Sequence, residues 1–123
     1  MKTCSSITAN IFVGLREAYS DKIQTLDAAR DILHNYCDSK GLCVSLTPTE
    51  FIYTSSADKN IDGFEPGFIV GLINYPLYPS TPEKIYEHAS ILAKELLLMY
   101  GELKVTVIME DKTITIEKSD CDG

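Results

Sequence analysis

The stretch Gly63-Phe-Glu-Pro-Gly-Phe-Ile-Val-Gly-Leu-Ile-Asn-Tyr-Pro-Leu-Tyr-Pro79 decides how the rest of the chain is read. Its middle is an apolar run of strand length, which reads as an internal strand. Gly63, Gly67 and Gly71 recur every four residues, and glycine weakens a strand unless a bulge or a close neighbour needs the missing side chain. The strand is therefore expected to end in a site. Asn74 and Tyr75 stop the run, and Pro76 and Pro79 stiffen the departing chain, holding Tyr75 and Tyr78 ready for stacking. An ordinary strand followed by a proline turn is the plainer reading of the same residues.

Upstream, residues 7–16 alternate. Ile7, Ala9, Ile11, Val13 and Leu15 form a core face, and Thr8, Asn10, Phe12, Gly14 and Arg16 form the other. That second face lines a pocket or a subunit interface, or it is a solvated sheet face of the ordinary antiparallel kind. A helix is expected from Thr25 as N-cap, with Asp27 in its first turn and Gly41 as its left-handed stop. Leu26, Ala29, Leu33, Tyr36 and Cys37 supply its apolar stripe. Arg30, on the flank, is either a solvated arginine or one that reaches an anion. Residues 42–46 and 51–54 are extended, with Pro48 between them placing this region at an edge or a bulge. Residues 55–63 are polar and turn-rich, a connection or a candidate lid.

Downstream, Ser80 with Glu83 fits a capping box, and Thr81 followed by Pro82 fits almost as well. Ile85, Ala89, Leu92, Leu96 and Met99 form one apolar stripe of the second helix, and Tyr86, Ala93, Leu97 and Tyr100 form another. The doubled stripe implies either a partner subunit or a deeply buried helix. Gly101 ends it. Strands follow at 103–109 and 113–117 around a turn at 110–112, and 119–123 is expected to be a disordered tail. The order β, α, β, β, α, β plus a short last strand is the split βαβ arrangement: an α+β ferredoxin-like sandwich, an antiparallel sheet with two helices on one face and an extra C-terminal hairpin strand.

The 123 residues fit a single domain, 1–123, large enough to bury roughly two thirds of its unfolded surface. The formal charge of -7, from 18 acidic and 11 basic residues, opposes a nucleic-acid backbone and argues against DNA or RNA binding. No apolar run reaches membrane-spanning length, and no secretory signal is recognised, so a soluble protein with free thiols at its four cysteines is expected. No phosphate loop, HExxH or GxSxG is present, and neither histidine lies at metal-ligand or nucleophile spacing. Catalytic residues, metal ligands and cofactors are accordingly not expected, and the chain is read as a binding module and not an enzyme. Triads assembled only in space leave no such trace.

The segments Thr8-x-x-Ile11-Phe12-Val13-Gly14, Thr47-Pro-Thr-Glu-Phe-Ile-Tyr53, Glu65-Pro-Gly67 and Gly71-Leu-Ile-Asn-Tyr-Pro76 resemble the Thoeris anti-defence family of phage proteins, first type. The resemblance covers most of the chain. It implies a homo-oligomeric sponge, in the cytoplasm of the bacterial host, for a cyclic ADP-ribose isomer made by a TIR-domain enzyme. The signal is held without cleavage in pockets at a subunit interface, and some members also hold cyclic oligonucleotides. The matching positions are Phe12, Gly14, Glu65, Gly67, Asn74, Tyr75 and Pro76. Leu77 departs from the family pattern, where a basic residue follows the proline, so Arg16, Arg30 and backbone N–H groups are left to hold a pyrophosphate. Phe12, Asn74 and Tyr75 suit an adenine, and Glu65 suits ribose hydroxyls. The alternative function is a regulatory or interaction module that binds a metabolite or a protein.

Overall fold

The computed structural model describes residues 1–16, 23–52, 64–76, 79–102 and 104–121. In chain order the elements are β1 (Thr8–Gly14), α1 (Asp27–Lys40), β2 (Val44–Ile52), β3 (Phe64–Ile73), α2 (Pro82–Met99), β4 (Lys104–Met109), β5 (Thr113–Glu117) and the single turn α3 (Lys118–Cys121). The strands form one sheet in the order β2-β3-β1-β4-β5, every neighbouring pair antiparallel. This is the ferredoxin-like sandwich, extended by β5. The alternation of β1 sends Ala9, Ile11 and Val13 into the core beside Phe68, Val70 and Leu72 of β3 and Val105, Val107 and Met109 of β4. The two long helices cover that face, α1 through Ala29, Leu33 and Tyr36, and α2 through Ile85, Ala89, Leu92, Ala93, Leu96 and Leu97.

Both apolar stripes of α2 are thus consumed inside the chain. Ala93, Leu97 and Tyr100 are buried and Tyr86 packs on the core, so the second stripe is the deeply buried helix and not a partner surface. Met99, expected against the sheet, is exposed. Thr81 is the N-cap of α2, accepting from Lys84 N at 3.3 Å, with Pro82 in the first turn. The expected cap of α1 is different. Helix α1 begins after Leu26 with no side-chain cap of its own, and the Tyr100 hydroxyl, 71 residues away in sequence, accepts from Ala29 N at 2.9 Å while donating to Thr25 O at 2.8 Å. A core tyrosine therefore satisfies an orphan donor that the local sequence leaves open. Gly41 closes α1 in the left-handed conformation, its N–H on Cys37 O.

Strand β2 runs through Pro48 without a break, which its place at the sheet edge permits because no ladder bond is required of the missing N–H. The tail expected to be disordered forms α3 at 118–121, where Asp120 accepts from Glu117 N at 2.9 Å. The candidate lid at 55–63, together with Leu77, Tyr78 and residues 122–123, lies outside the described residues. All four cysteines are free thiols, and no helix among the described residues is long and apolar enough to cross a membrane.

Candidate active site on the open face of the sheet

Among the described residues no helix covers the face of the sheet away from α1 and α2, and the register sorts its side chains into rungs. One rung joins Thr49, Gly67 and Gly14, the next Thr47, Ile69, Phe12 and Thr106, and the next Ser45, Gly71, Asn10 and Ile108. Phe51 pairs with Glu65 at the far end. Beyond Gly14 the chain continues the pairing, Leu15 N donating to Pro66 O at 2.9 Å and Arg16 N donating to Glu65 Oε2 at 3.2 Å.

The glycines of the opening stretch serve close approaches by the protein's own side chains. A Cβ on Gly14 would collide with the Glu65 carboxylate, so this glycine lets Glu65 fold flat over β1. A Cβ on Gly67 would meet the edge of the Phe51 ring, as well as Val13 O at 2.6 Å. Phe51 in turn meets Phe12 edge to face, ring centroids 6.3 Å apart at 60°. Glu65 is buried, which is unusual for a carboxylate on an unpartnered sheet face.

A second carboxylate joins it. Glu102 follows the end of α2, its N–H held by Leu97 O at 3.0 Å, and enters just ahead of β4. The β1–β4 register, Phe12 opposite Thr106, counted on along both strands brings Glu102 to the level of Arg16. Its Oε1 is buried with no hydrogen-bond partner among the described residues. Burial first, and then the nearby Glu65 charge, push the Glu102 carboxyl from 4.5 up to about 8. Two carboxylates drawn together, one held protonated near neutrality, leave the site able to receive a cation or to exchange a proton.

The expected site residues separate into three groups. Asn10, Phe12, Gly14, Arg16, Glu65 and Gly67 share the open face. Asn74 is spent on the fold: its Nδ2 donates to Ser5 O at 2.8 Å and its Oδ1 accepts from Ser80 N at 2.7 Å, tying the N-terminal segment to the entrance of α2. Tyr75 and Pro76 stand beyond the opposite end of β3, with Tyr75 eight residues from Gly67, which is about 26 Å of strand. Arg30 belongs to the helical layer, exposed and paired with Asp27 at 3.2 Å. It lines the groove between α1 and β2, away from the open face. Asn74, Tyr75, Pro76 and Arg30 are therefore not brought together with Phe12 and Glu65 in one protomer. Sequence reading missed Glu102, Phe51 and Ser45. Glu102 looks like a turn residue behind Gly101, and only cross-strand register reveals its neighbour.

No family model matches the sequence, and no curated protein matches it. Among solved structures, the chain is similar to a phage SAM (S-adenosylmethionine) lyase in complex with S-methyl-5'-thioadenosine. The TM-score is 0.71 and the identity 19%, over 97% of this chain and 95% of that one. It is also similar to a phage SAM lyase in the apo state, with a TM-score of 0.66 and 20% identity over 90% of this chain and 88% of that one. These likenesses show a shared fold. They also correct the expectation of a non-enzyme, since both structures that share the fold are of a phage SAM lyase, an enzyme. Both neighbours are phage proteins, and neither is a Thoeris anti-defence protein.

Proposed function

We propose that the protein is a lyase acting on a sulfonium nucleoside of the S-adenosylmethionine class, releasing S-methyl-5'-thioadenosine at the Glu65–Glu102 pair. The observation that carries this reading is the convergence of two neighbouring carboxylates on the open face, Glu65 buried over Gly14 and Glu102 partly buried with its Oε1 shielded from water. A sulfonium centre is a fixed cation with no proton to lose, and a carboxylate pair offers it compensation that a neutral pocket lacks. When the bond between sulfur and the Cγ of the amino-acid arm breaks, the electron pair returns to sulfur. The nucleoside then departs as a neutral thioether and needs no general acid. The second product reports how Cγ is satisfied: a lactone if the arm's own carboxylate oxygen closes on it, an unsaturated amino acid if a glutamate takes a proton from the adjacent carbon.

The adenosine half is common to this ligand and to cyclic ADP-ribose. The pyrophosphate of the cyclic nucleotide would set its charges against Glu65, and against Glu102 wherever it ionises, which is why the sulfonium is favoured. We further infer that a second copy covers the open face, because Ile73 and Ile108 are exposed there beside half-buried Phe12 and Ile69.

The test is direct. Incubation with S-adenosylmethionine should yield S-methyl-5'-thioadenosine over many turnovers, and Glu65→Gln and Glu102→Gln should each abolish it. Intact S-adenosylmethionine after prolonged incubation, with a melting shift on adding cyclic ADP-ribose, would overturn the sulfonium reading in favour of the cyclic nucleotide. Light scattering that gives a monomer at micromolar concentration would remove the second copy.

A further inference from the structure

The rung two steps from Gly14 has a composition that neither the fold nor the cleavage chemistry requires. Ser45, Gly71 and Asn10 lie side by side on β2, β3 and β1. Ser45 Oγ and Asn10 Oδ1 turn inward over Gly71, 2.6 and 3.3 Å from the place a Cβ would take. Neither side chain makes a hydrogen bond to another described residue. Two polar groups thus converge above a glycine on the open face, with the Phe12 rung between them and the glutamates.

We propose that Asn10 and Ser45 read the base edge of the adenine, with Phe12 as the surface it lies on; this rests on the sulfonium nucleoside reading above. The spans agree. The Glu65 carboxylate lies over Gly14, and from there Phe12 is about 7 Å and Asn10 about 13 Å along the strand. A thioadenosine stretched along β1 has its sulfur beside Glu65, its sugar between Gly14 and Phe12, its base on Phe12 and its exocyclic amine at Asn10. A carboxamide presents an acceptor and a donor side by side, which matches the amine and the N7 acceptor of adenine. Hypoxanthine keeps N7 but replaces the amine by a carbonyl. Flipping the Asn10 amide then satisfies the carbonyl and turns Oδ1 against N7, so one of the two bonds is lost in either orientation. Ser45, on the other side of Gly71, adds a hydroxyl able to donate or accept.

The experiment is calorimetric binding of S-methyl-5'-thioadenosine and S-methyl-5'-thioinosine to the intact protein, to Asn10→Leu and to Ser45→Ala. The intact protein should prefer the adenine compound by about tenfold or more. In Asn10→Leu its affinity should fall by about tenfold and the preference should collapse toward one. Ser45→Ala, on the exposed edge strand, should weaken the adenine compound severalfold while the fold melts as before. The KM for S-adenosylmethionine should rise more in Asn10→Leu than kcat falls. An unchanged preference in both variants overturns this assignment alone, provided S-adenosylmethionine is still cleaved by the intact protein. Failure of the intact protein to bind either nucleoside overturns the assignment together with the function it rests on.

Discussion

Glu102 should make the protein less stable as pH rises, and removing its charge should reverse that. Its folded carboxyl titrates near 8 against 4.5 for the ordinary group. Below 4.5 the carboxyl is protonated in both states and imposes no penalty. Between 4.5 and about 8 the unfolded chain releases the proton while the folded chain keeps it, so stability falls across that window and levels off above it. At about 1.36 kcal/mol per pH unit the full shift amounts to roughly 5 kcal/mol. Glu102 is only partly buried, and solvent screening reduces this to about 2 kcal/mol. Glu102→Gln keeps the shape and abolishes the ionisation, so at pH 8 the variant should be about 2 kcal/mol more stable than the parent, a rise in Tm of about 8 °C for a chain of this size. At pH 4.5 the two should melt together. Glu65→Gln should show a shallower version of the same effect, because the Glu65 charge is the second cause after burial. Thermal melts followed by circular dichroism from pH 4.5 to 8 measure this. Parallel curves for parent and Glu102→Gln would refute the burial of Glu102 and its closeness to Glu65.

Binding should carry the same signature: affinity for cationic S-adenosylmethionine should strengthen from pH 6.5 to 8.5, roughly the range over which Glu102 ionises, while neutral S-methyl-5'-thioadenosine shows no such trend in calorimetry. Gly14→Ala should displace the Glu65 carboxylate and cost at least about tenfold in kcat/KM with the fold retained, whereas an active variant would place Glu65 elsewhere. Tyr100→Phe should lower stability by about 1 to 3 kcal/mol by leaving Ala29 N and Thr25 O unpaired, read as a lower midpoint in urea at unchanged slope. Asn74→Leu should destabilise by about the same amount yet leave nucleoside affinity intact in the protein that remains folded; a selective loss of affinity would restore Asn74 to the site.

The elements and their order were legible from local pattern. The two-residue period of 7–16 and the 3.6-residue stripes of 82–99 depend only on which side of a strand or helix must leave water. Gly41 and Thr81 mark helix ends through their own backbone and side-chain chemistry, and both do so here. The open polar face of β1 was legible for the same reason, and with it Asn10, Phe12, Gly14 and Arg16. What joins that face to a site was not. Gly14 and Glu65 are 51 residues apart in sequence, Glu65 and Glu102 a further 37, and the register of three strands alone decides that they meet. The role of Asn74 was not legible either, because a polar residue after a strand looks alike whether its amide faces a ligand or ties down a neighbouring segment. Only the positions of Ser5 O and Ser80 N distinguish the two. The start of α1 depends on a hydroxyl from the end of α2. Local periodicity records which surfaces are buried, whereas the chemistry of a buried carboxylate depends on charges and dipoles that reach it through space from distant parts of the chain.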